Sequence, residues 1–405
     1  MPESFVAAKR MGALEGFELD VICGEPPPGW AREDDHSLDA YVAERFSHVT
    51  RVSRSSIWDH VRLTRYEPLI RPPDPFRLLN GPARRAAMRA IRTRRYSAIF
   101  TCSQLHSIHL VGLALKKRFR LPWLAHFSDP WVRNPFLSMT PLERRLNARL
   151  ERRVMSTADR LLFTSRQAVD LSLEGYPESW RSKVRVLPHP YDPRLFPART
   201  LSSADESVVL RYMGSFYGRR TPEPLVRALS QLAVDDPSLL LRLRVEIVGD
   251  AGPGLLADGA GALPPGVLTV LPRVDYVPSL ELMADADGLL VVDAPGTTSP
   301  FLPSKLVDYV GAGRPIAALT PEGPAADLTR RLGGPVADPT DARACAEALR
   351  AVARLAQDFR TEPFGDPDVR REYTTETVGA QLAEIVGDVV APASGVDDSL
   401  RARAS

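Results

Sequence analysis

Pro300-Phe-Leu-Pro-Ser-Lys-Leu-Val-Asp-Tyr-Val-Gly-Ala-Gly-Arg-Pro315 is the stretch from which the rest of the chain can be read. Pro303 halts any helix before it and Ser304 is a good N-cap, so the pattern predicts a helix over Ser304–Val310. A loop that enters a helix start presents unpaired N–H groups to an anion, and Lys305 adds a positive charge at the same end. Asp308, three residues on, shares the Lys305 face about one turn deeper. A phosphate at the helix mouth, with a hydroxyl held by Asp308, fits this layout. So does a surface helix with an i,i+3 ion pair.

Outward from this stretch, short apolar runs alternate with helical ones. On its N-terminal side, Val208–Met213, Arg244–Val248, Val267–Leu271 and Gly288–Val292 read as buried strands, and Pro315–Leu319 follows it. Helical periodicity covers Pro222–Ala233, Pro278–Ala284 and Ala342–Ala356. The first half has the same character, with strands expected at Leu19–Cys23, Ala98–Cys102, Trp123–Phe127, Arg160–Thr164 and Val184–Leu187. Helices are expected at Ser4–Leu14, Leu105–Arg118 and Pro141–Met155. Alternation of this kind predicts two α/β units, each a parallel sheet covered by helices. Pro188, Pro190 and Pro193 read as the linker between them. The expected division is residues 1–195, 196–373, a helix over 374–391 and a disordered tail over 392–405. Val378, Leu382, Ile385, Val386 and Val389 mark one apolar face of that last helix, after the candidate caps Thr374 and Thr375.

The totals narrow the function. With 405 residues, 44% hydrophobic and 25% charged, the chain is long enough for two cores and has the composition of a globular protein. Its net charge of +2 argues against a general nucleic-acid binder, so a basic site must be local. Cys23, Cys102 and Cys345 are isolated and odd in number, which suggests no disulfide framework and a cytoplasmic setting. No apolar run approaches the roughly 20 residues that span a bilayer, and no signal-peptide pattern opens the chain.

A second loop strengthens the anion reading. Gly214-Ser-Phe-Tyr-Gly-Arg-Arg-Thr-Pro222 follows a strand and enters a helix carrying Leu225, Leu229 and Leu232. Gly214 and Gly218 let backbone approach a ligand, and Arg219 with Arg220 can grip a diphosphate. A solvated arginine pair on a turn is the plain alternative.

In this order the segments resemble the retaining GT-B glycosyltransferases of the family-4 type, over nearly the whole chain. Arg220 falls where that family places its phosphate-binding lysine, eight residues before Ala228. Ser304, Lys305 and Asp308 fall in its Pro-Ser-Lys…acidic…Gly-Arg-Pro-Ile signature. Thr164-Ser165 and Lys183-Val-Arg-Val-Leu-Pro-His-Pro-Tyr-Asp192 look like its interdomain strand and turn, and Leu121-Pro-Trp-Leu-Ala-His-Phe-Ser-Asp-Pro-Trp131 like a segment at its acceptor cleft. The resemblance implies two doubly wound domains facing a cleft and transfer of a sugar from a nucleoside-diphosphate donor to a carbohydrate or lipid-linked acceptor, with retained configuration. It implies no metal and no cofactor, because Arg219, Arg220, Lys305 and a helix N-terminus neutralise the diphosphate. It implies no protein nucleophile, since the leaving phosphate takes the acceptor proton. The donor set is then Gly214, Arg219, Arg220, Arg273, Val274, Phe301, Leu302, Ser304, Lys305 and Asp308.

Four departures bear on that expectation. Pro300 stands where many members carry the first of two glutamates, Ser215 replaces an arginine, and His189-Pro190 replaces Asn-Gly. The usual opening strand and glycine loop are not found before Ser4–Leu14, so the natural start is expected upstream of Met1, or another segment fills the slot. Non-catalytic sugar-nucleotide binding and nucleotide-sugar epimerisation are the rival functions.

Catalytic candidates are His109, His126 and Asp129, which lie after or at the ends of predicted strands; His106 reads as helix capping or loop packing. Asp285-Ala-Asp287 resembles a metal-binding pair but sits at a helix end, and no histidine spacing suggests zinc. Gly249-Asp-Ala-Gly-Pro-Gly254 reads as a turn near the donor cleft. Arginines over 84–95 and 144–153 interleave with apolar residues; such a helix can lie on an anionic membrane or simply be a solvated face.

Overall fold

In the N-terminal half, apolar runs bounded by turns become β1 (Asp20–Gly24), β2 (His48–Val52), β3 (Ile99–Ser103), β4 (Trp123–Phe127), β5 (Arg160–Phe163) and β6 (Val184–Val186). In the C-terminal half they become β7 (Val208–Met213), β8 (Leu243–Val248), β9 (Leu268–Leu271), β10 (Gly288–Val292), β11 (Ile316–Leu319) and β12 (Val336–Ala337). This computed structural model describes residues 2–25, 35–53, 72–103, 105–197, 207–252, 263–359 and 361–390. The tail expected over 392–405 lies outside them.

The C-terminal strands form one parallel sheet ordered β12-β11-β10-β7-β8-β9. That is the doubly wound order, whose reversal lies between β7 and β10, and ligands of such sheets sit beyond the strand ends there. β10 and β11 are buried throughout and read as unbroken apolar runs, as strands covered on both faces must. One core, built on Leu210, Val245, Leu290 and Leu349, lies on one side of the sheet. A second, built on Met213, Leu289, Leu306 and Leu328, lies on the other.

The N-terminal strands do not make one continuous sheet. β1 and β2 pair in parallel, and β3-β4-β5-β6 form a separate parallel sheet; among the described residues no ladder joins them. Among the described residues this leaves a break between β1 and β3. Side chains bridge it, because Ile22, Val52 and Ile99 share one apolar cluster with Ala83, Ala86 and Val111. β2 was not foreseen, and the reason is visible: four of its five residues are exposed, so it lacks an apolar run.

Helix Pro2–Gly12 and the last helix, Thr375–Val390, lie together against β4, β5 and the end of β6. Leu14, Leu124, Leu162 and Leu187 meet Val378, Leu382, Ile385 and Val386 there. Thr374 caps the last helix by accepting from the Thr377 N–H at 3.2 Å. The approach is close enough to need glycine: a Cβ on Gly379 would lie 2.2 Å from the Ala13 carbonyl oxygen. Gly387, on the same helix, has nothing within 4 Å. Gly379→Ala is therefore expected to cost about 1–3 kcal/mol by forcing the two helices apart. Gly387→Ala should be neutral or stabilising by up to about 1 kcal/mol. Urea denaturation of the two variants checks the contrast.

Candidate functional site

Beyond the carboxyl ends of β7 and β10, two loops and one helix start converge. β7 ends in Gly214, whose φ of 109° is open to glycine. Its N–H donates to the Val248 carbonyl at 2.8 Å, and Gly249 packs so closely that a Cβ there would sit 2.6 Å from the Gly214 oxygen. Phe216 N–H donates to Asp250 O at 2.7 Å, tying the Gly214 loop to the turn after β8. The Gly249 turn thus serves the same loop; its last two residues lie outside the described ones.

Lys305 reaches this loop from the facing helix, Ser304–Ala312. Its Nζ donates to the Tyr212 hydroxyl at 2.9 Å and would lie 3.1 Å from a Cβ on Gly214, so the glycine leaves room for the ammonium. The helix starts one residue earlier than expected of its cap. Pro303 is extended (φ −61°, ψ 131°) and takes the cap position, while Ser304 is already helical. Ser304 therefore leaves the first-turn N–H groups without a side-chain cap.

Arg220 lies on the other side of the loop. Its Nε and Nη2 donate to Asp293 Oδ1 at 3.2 and 2.8 Å, and both side chains are largely buried. Asp293, the residue after β10, also accepts from Ala294 N–H and Ser299 Oγ, each at 2.8 Å. It was not foreseen as a site residue, although a carboxylate just beyond a buried strand end is a readable signal. Lys305 is pushed well below the usual lysine range, first by burial and then by the Arg220 guanidinium, with Asp293 opposing. Asp293 is engaged by Arg220, and among the described residues Lys305 has only the Tyr212 hydroxyl, so an anion bound here would favour the charged form of Lys305.

Arg219 and Arg273 are exposed, and Val274 packs into the lower core. Phe301 and Leu302 are buried; Phe301 stacks on Phe136 of the N-terminal half, centroids 4.7 Å apart. Ser165 Oγ donates to Pro300 O at 3.2 Å from the same half. The loop before Ser304 is thereby held from across the cleft.

Asp308 is engaged rather than open. Its Oδ1 accepts from Lys9 Nζ at 2.6 Å and from the Tyr276 hydroxyl at 3.0 Å, and Lys9 and Asp308 are both nearly fully buried. Phe5 stacks on Tyr276 at 4.7 Å beside them. The next residue, Arg10, turns the other way. Its Nη2 donates to His189 Nδ1 at 2.8 Å and its Nη1 approaches His126 Nδ1 at 3.4 Å. His126 Nε2 faces the Leu187 carbonyl at 3.4 Å, which puts the ring proton on Nε2 and leaves Nδ1 to accept. Burial, and then Arg10, hold both histidines far below the usual imidazole range, so both are neutral.

The other candidates separate. His109 is wholly buried: Trp123 Nε1 donates to Thr101 Oγ1 at 2.9 Å, and that hydroxyl faces His109 Nδ1 at 2.9 Å. His106 is buried and stacks on Trp131 at 4.8 Å, so of capping and packing it is packing that holds it; the cap position is Ser107. Asp129 follows β4 and is half-buried. Asp285 pairs with Arg211 at 3.1 Å and Asp287 accepts from Val209 N–H at 2.8 Å, so the two carboxylates are spent on separate structural contacts.

With this geometry in hand, the likenesses to known proteins can be placed. The sequence profile described as a glycosyl transferase 4-like domain matches residues 7–190. The D-inositol 3-phosphate glycosyltransferase of Geodermatophilus obscurus is 27% identical over 220 residues, 50% of this chain and 47% of that protein. That of Actinosynnema mirum is 31% identical over 173 residues, 40% of each. The chain spans about half, or less, of the length of these relatives. Among solved structures, Anabaena Alr3699/HepE in complex with UDP is 15% identical, with a TM-score of 0.59 over 91% of this chain and 100% of that one. Sucrose-phosphate synthase from Thermosynechococcus elongatus is 18% identical, with a TM-score of 0.61 over 92% and 100%. Both likenesses are of fold.

Removing one partner of the buried pair leaves an uncompensated charge. Lys9→Met should therefore destabilise the chain by about 3–5 kcal/mol, whereas Lys9→Met with Asp308→Leu should recover most of that loss. Denaturant midpoints of the two singles and the double close the cycle, and an additive double would show that the pair is not coupled.

Proposed function

We propose that the chain, whose residues 7–190 match a glycosyl transferase 4-like domain and whose fold is of the GT-B kind, transfers a sugar from a nucleoside-diphosphate donor to an acceptor hydroxyl. One observation carries the reading. Lys305 and Arg220 converge on the Gly214 loop at an uncapped helix start, with a single carboxylate between them. A diphosphate supplies the anion that this pocket lacks. UDP in the Anabaena relative is the same class of ligand.

In this reading Lys305, Arg220, exposed Arg219 and the N–H groups near Phe301, Leu302 and Ser304 stabilise the departing diphosphate as the sugar C1–O bond breaks. The acceptor oxygen bonds to C1 on the same face, so configuration is retained, and its proton passes to the leaving phosphate oxygen. The cations perform the neutralisation that a metal would otherwise supply. Asp308 holds a donor hydroxyl with its second oxygen, and Arg273 and Val274 border the base. Residues 1–195 form the acceptor side, with His126 and Asp129 nearest the chemistry and His109 behind them; 196–373 form the donor side, and 374–391 cross back. The acceptor is a carbohydrate or lipid-linked sugar of glycoconjugate or polysaccharide synthesis, hexosyl transfer is the reaction class, and the setting is the cytoplasm or its membrane face. Among the described residues, no helix is long and apolar enough to cross a membrane. Binding without transfer is the second reading, favoured by Pro300 at an acidic position.

A thermal-shift screen across nucleotide sugars finds the donor, and release of nucleoside diphosphate with acceptor separates transfer from binding alone. Lys305→Ala and Arg220→Ala should each weaken nucleoside-diphosphate binding by about 1.5–3 kcal/mol, roughly 10- to 150-fold by calorimetry. Unchanged affinity in both would remove the site. Asp308→Asn should weaken nucleoside diphosphate while sparing inorganic diphosphate.

The Lys305 shift gives a pH dependence with a definite sign. The free ammonium is held low, and a bound diphosphate raises it again, so binding takes up a proton. Affinity should fall as pH rises toward the ordinary lysine range, and the slope should flatten in Lys305→Ala. Transfer should persist in excess EDTA; loss restored by Mg²⁺ or Mn²⁺ would return attention to Asp285 and Asp287.

A further inference from the structure

Three helices stand side by side on the N-terminal half: Ile108–Phe119, over β3 and β4, lies between Asn80–Thr93, which packs against β1 and β2, and Pro141–Thr157. Their outward faces are basic. Arg84, Arg85, Arg89 and Arg92 on the first helix are all exposed, as are all five arginines from 144 to 153 on the third. Lys117, Arg118 and Arg120 at the end of the middle helix are exposed as well. The three helices hold two carboxylates between them, neither available to balance this charge. Glu151 is buried, and Glu143 closes a capping box by accepting from Thr140 N–H and Oγ1 at 2.9 and 2.8 Å.

A solvated surface ordinarily mixes the two signs. Here a chain of net charge +2 concentrates its positive charge on one helical layer. Apolar side chains stand exposed at the rim of that layer: Leu137 at 47% and Leu142 at 48%, on either side of the start of helix Pro141–Thr157. Phe136, beside Leu137, stacks on Phe301 at the donor loop, so the apolar rim borders the cleft.

We propose that this face docks on an anionic lipid bilayer, with the arginines against phosphate headgroups and Leu137 and Leu142 entering the interface. Positive charge draws the layer to the headgroups, and the leucines gain by leaving water. The arrangement brings the cleft mouth to the surface where a lipid-linked acceptor would reside. RNA fits the charge but not the rim, since single strands are gripped by open aromatic platforms, whereas Leu137 and Leu142 are aliphatic and the ring of Phe136 is already stacked on Phe301. The inference extends the acceptor side of the proposed function without depending on donor binding.

The test is co-sedimentation of the whole chain with vesicles of phosphatidylcholine alone, or with about one-third phosphatidylglycerol. Binding to the anionic vesicles alone is expected, weakening as salt is raised. Arg85→Gln/Arg89→Gln/Arg149→Gln/Arg153→Gln should reduce that binding about tenfold or more. Leu137→Ser/Leu142→Ser should reduce it at unchanged charge. Both variants should keep the UDP affinity of the parent chain, which verifies that they are folded. Equal binding to both vesicle types, no binding to either, or an unchanged quadruple variant would overturn the proposal. RNA binding without vesicle binding would overturn it too. Loss of UDP binding in the parent chain would instead count against the donor site.

Discussion

The buried ion pair between Lys9 and Asp308 is the constraint around which the two halves are arranged. An isolated charge in either position would be prohibitively desolvated, so the pair requires helix Pro2–Gly12 to sit where Asp308 can reach it. Lys9 and Arg10 are consecutive and point to opposite halves: Lys9 to the helix that carries Lys305, Arg10 to His126 on β4 and His189 after β6. Two residues thus fix the width of the cleft between the facing sheets. Tyr276, stacked on Phe5 and bonded to Asp308, adds a third point to the same seam.

Most of the architecture was legible because fully buried parallel strands are apolar without interruption. β4, β7 and β10 match their expected bounds residue for residue, and the last helix shows its apolar stripe. What stayed hidden follows from the same physics. β2 is mostly exposed and β12 has two residues, so neither produces a run. The break between β1 and β3 is bridged by Ile22, Val52 and Ile99, through packing that no local pattern encodes.

The site divides in the same way. Gly214, Arg220, Lys305 and Asp308 could be named because loops between strand and helix have recognisable spacing. Their partners could not: Asp293 is 73 residues from Arg220, and Lys9 is 299 from Asp308. Sequence reasoning offered Asp308 a ligand hydroxyl or an i,i+3 pairing with Lys305, and could not see Lys9 because that cation lies near the other end of the chain. It placed His109 near chemistry for its position after a strand, whereas Thr101 and Trp123 draw it into the core.

The contact between Gly379 and Ala13 has a consequence for how the molecule is made. Helix Pro2–Gly12 completes its packing against Thr375–Val390, which is synthesised far later. Until Thr375–Val390 emerges, Leu14, Leu124 and Leu162 have no cover, and helix Pro2–Gly12 lacks the surface that fixes its course. Contacts of such sequence separation carry the largest loop-closure cost and form late. The N-terminal half must therefore wait, incompletely buried, through synthesis of the entire C-terminal half. Pairing of Lys9 with Asp308 then becomes a late event of folding: the cleft acquires its final geometry only after the distant helices that flank it have been made.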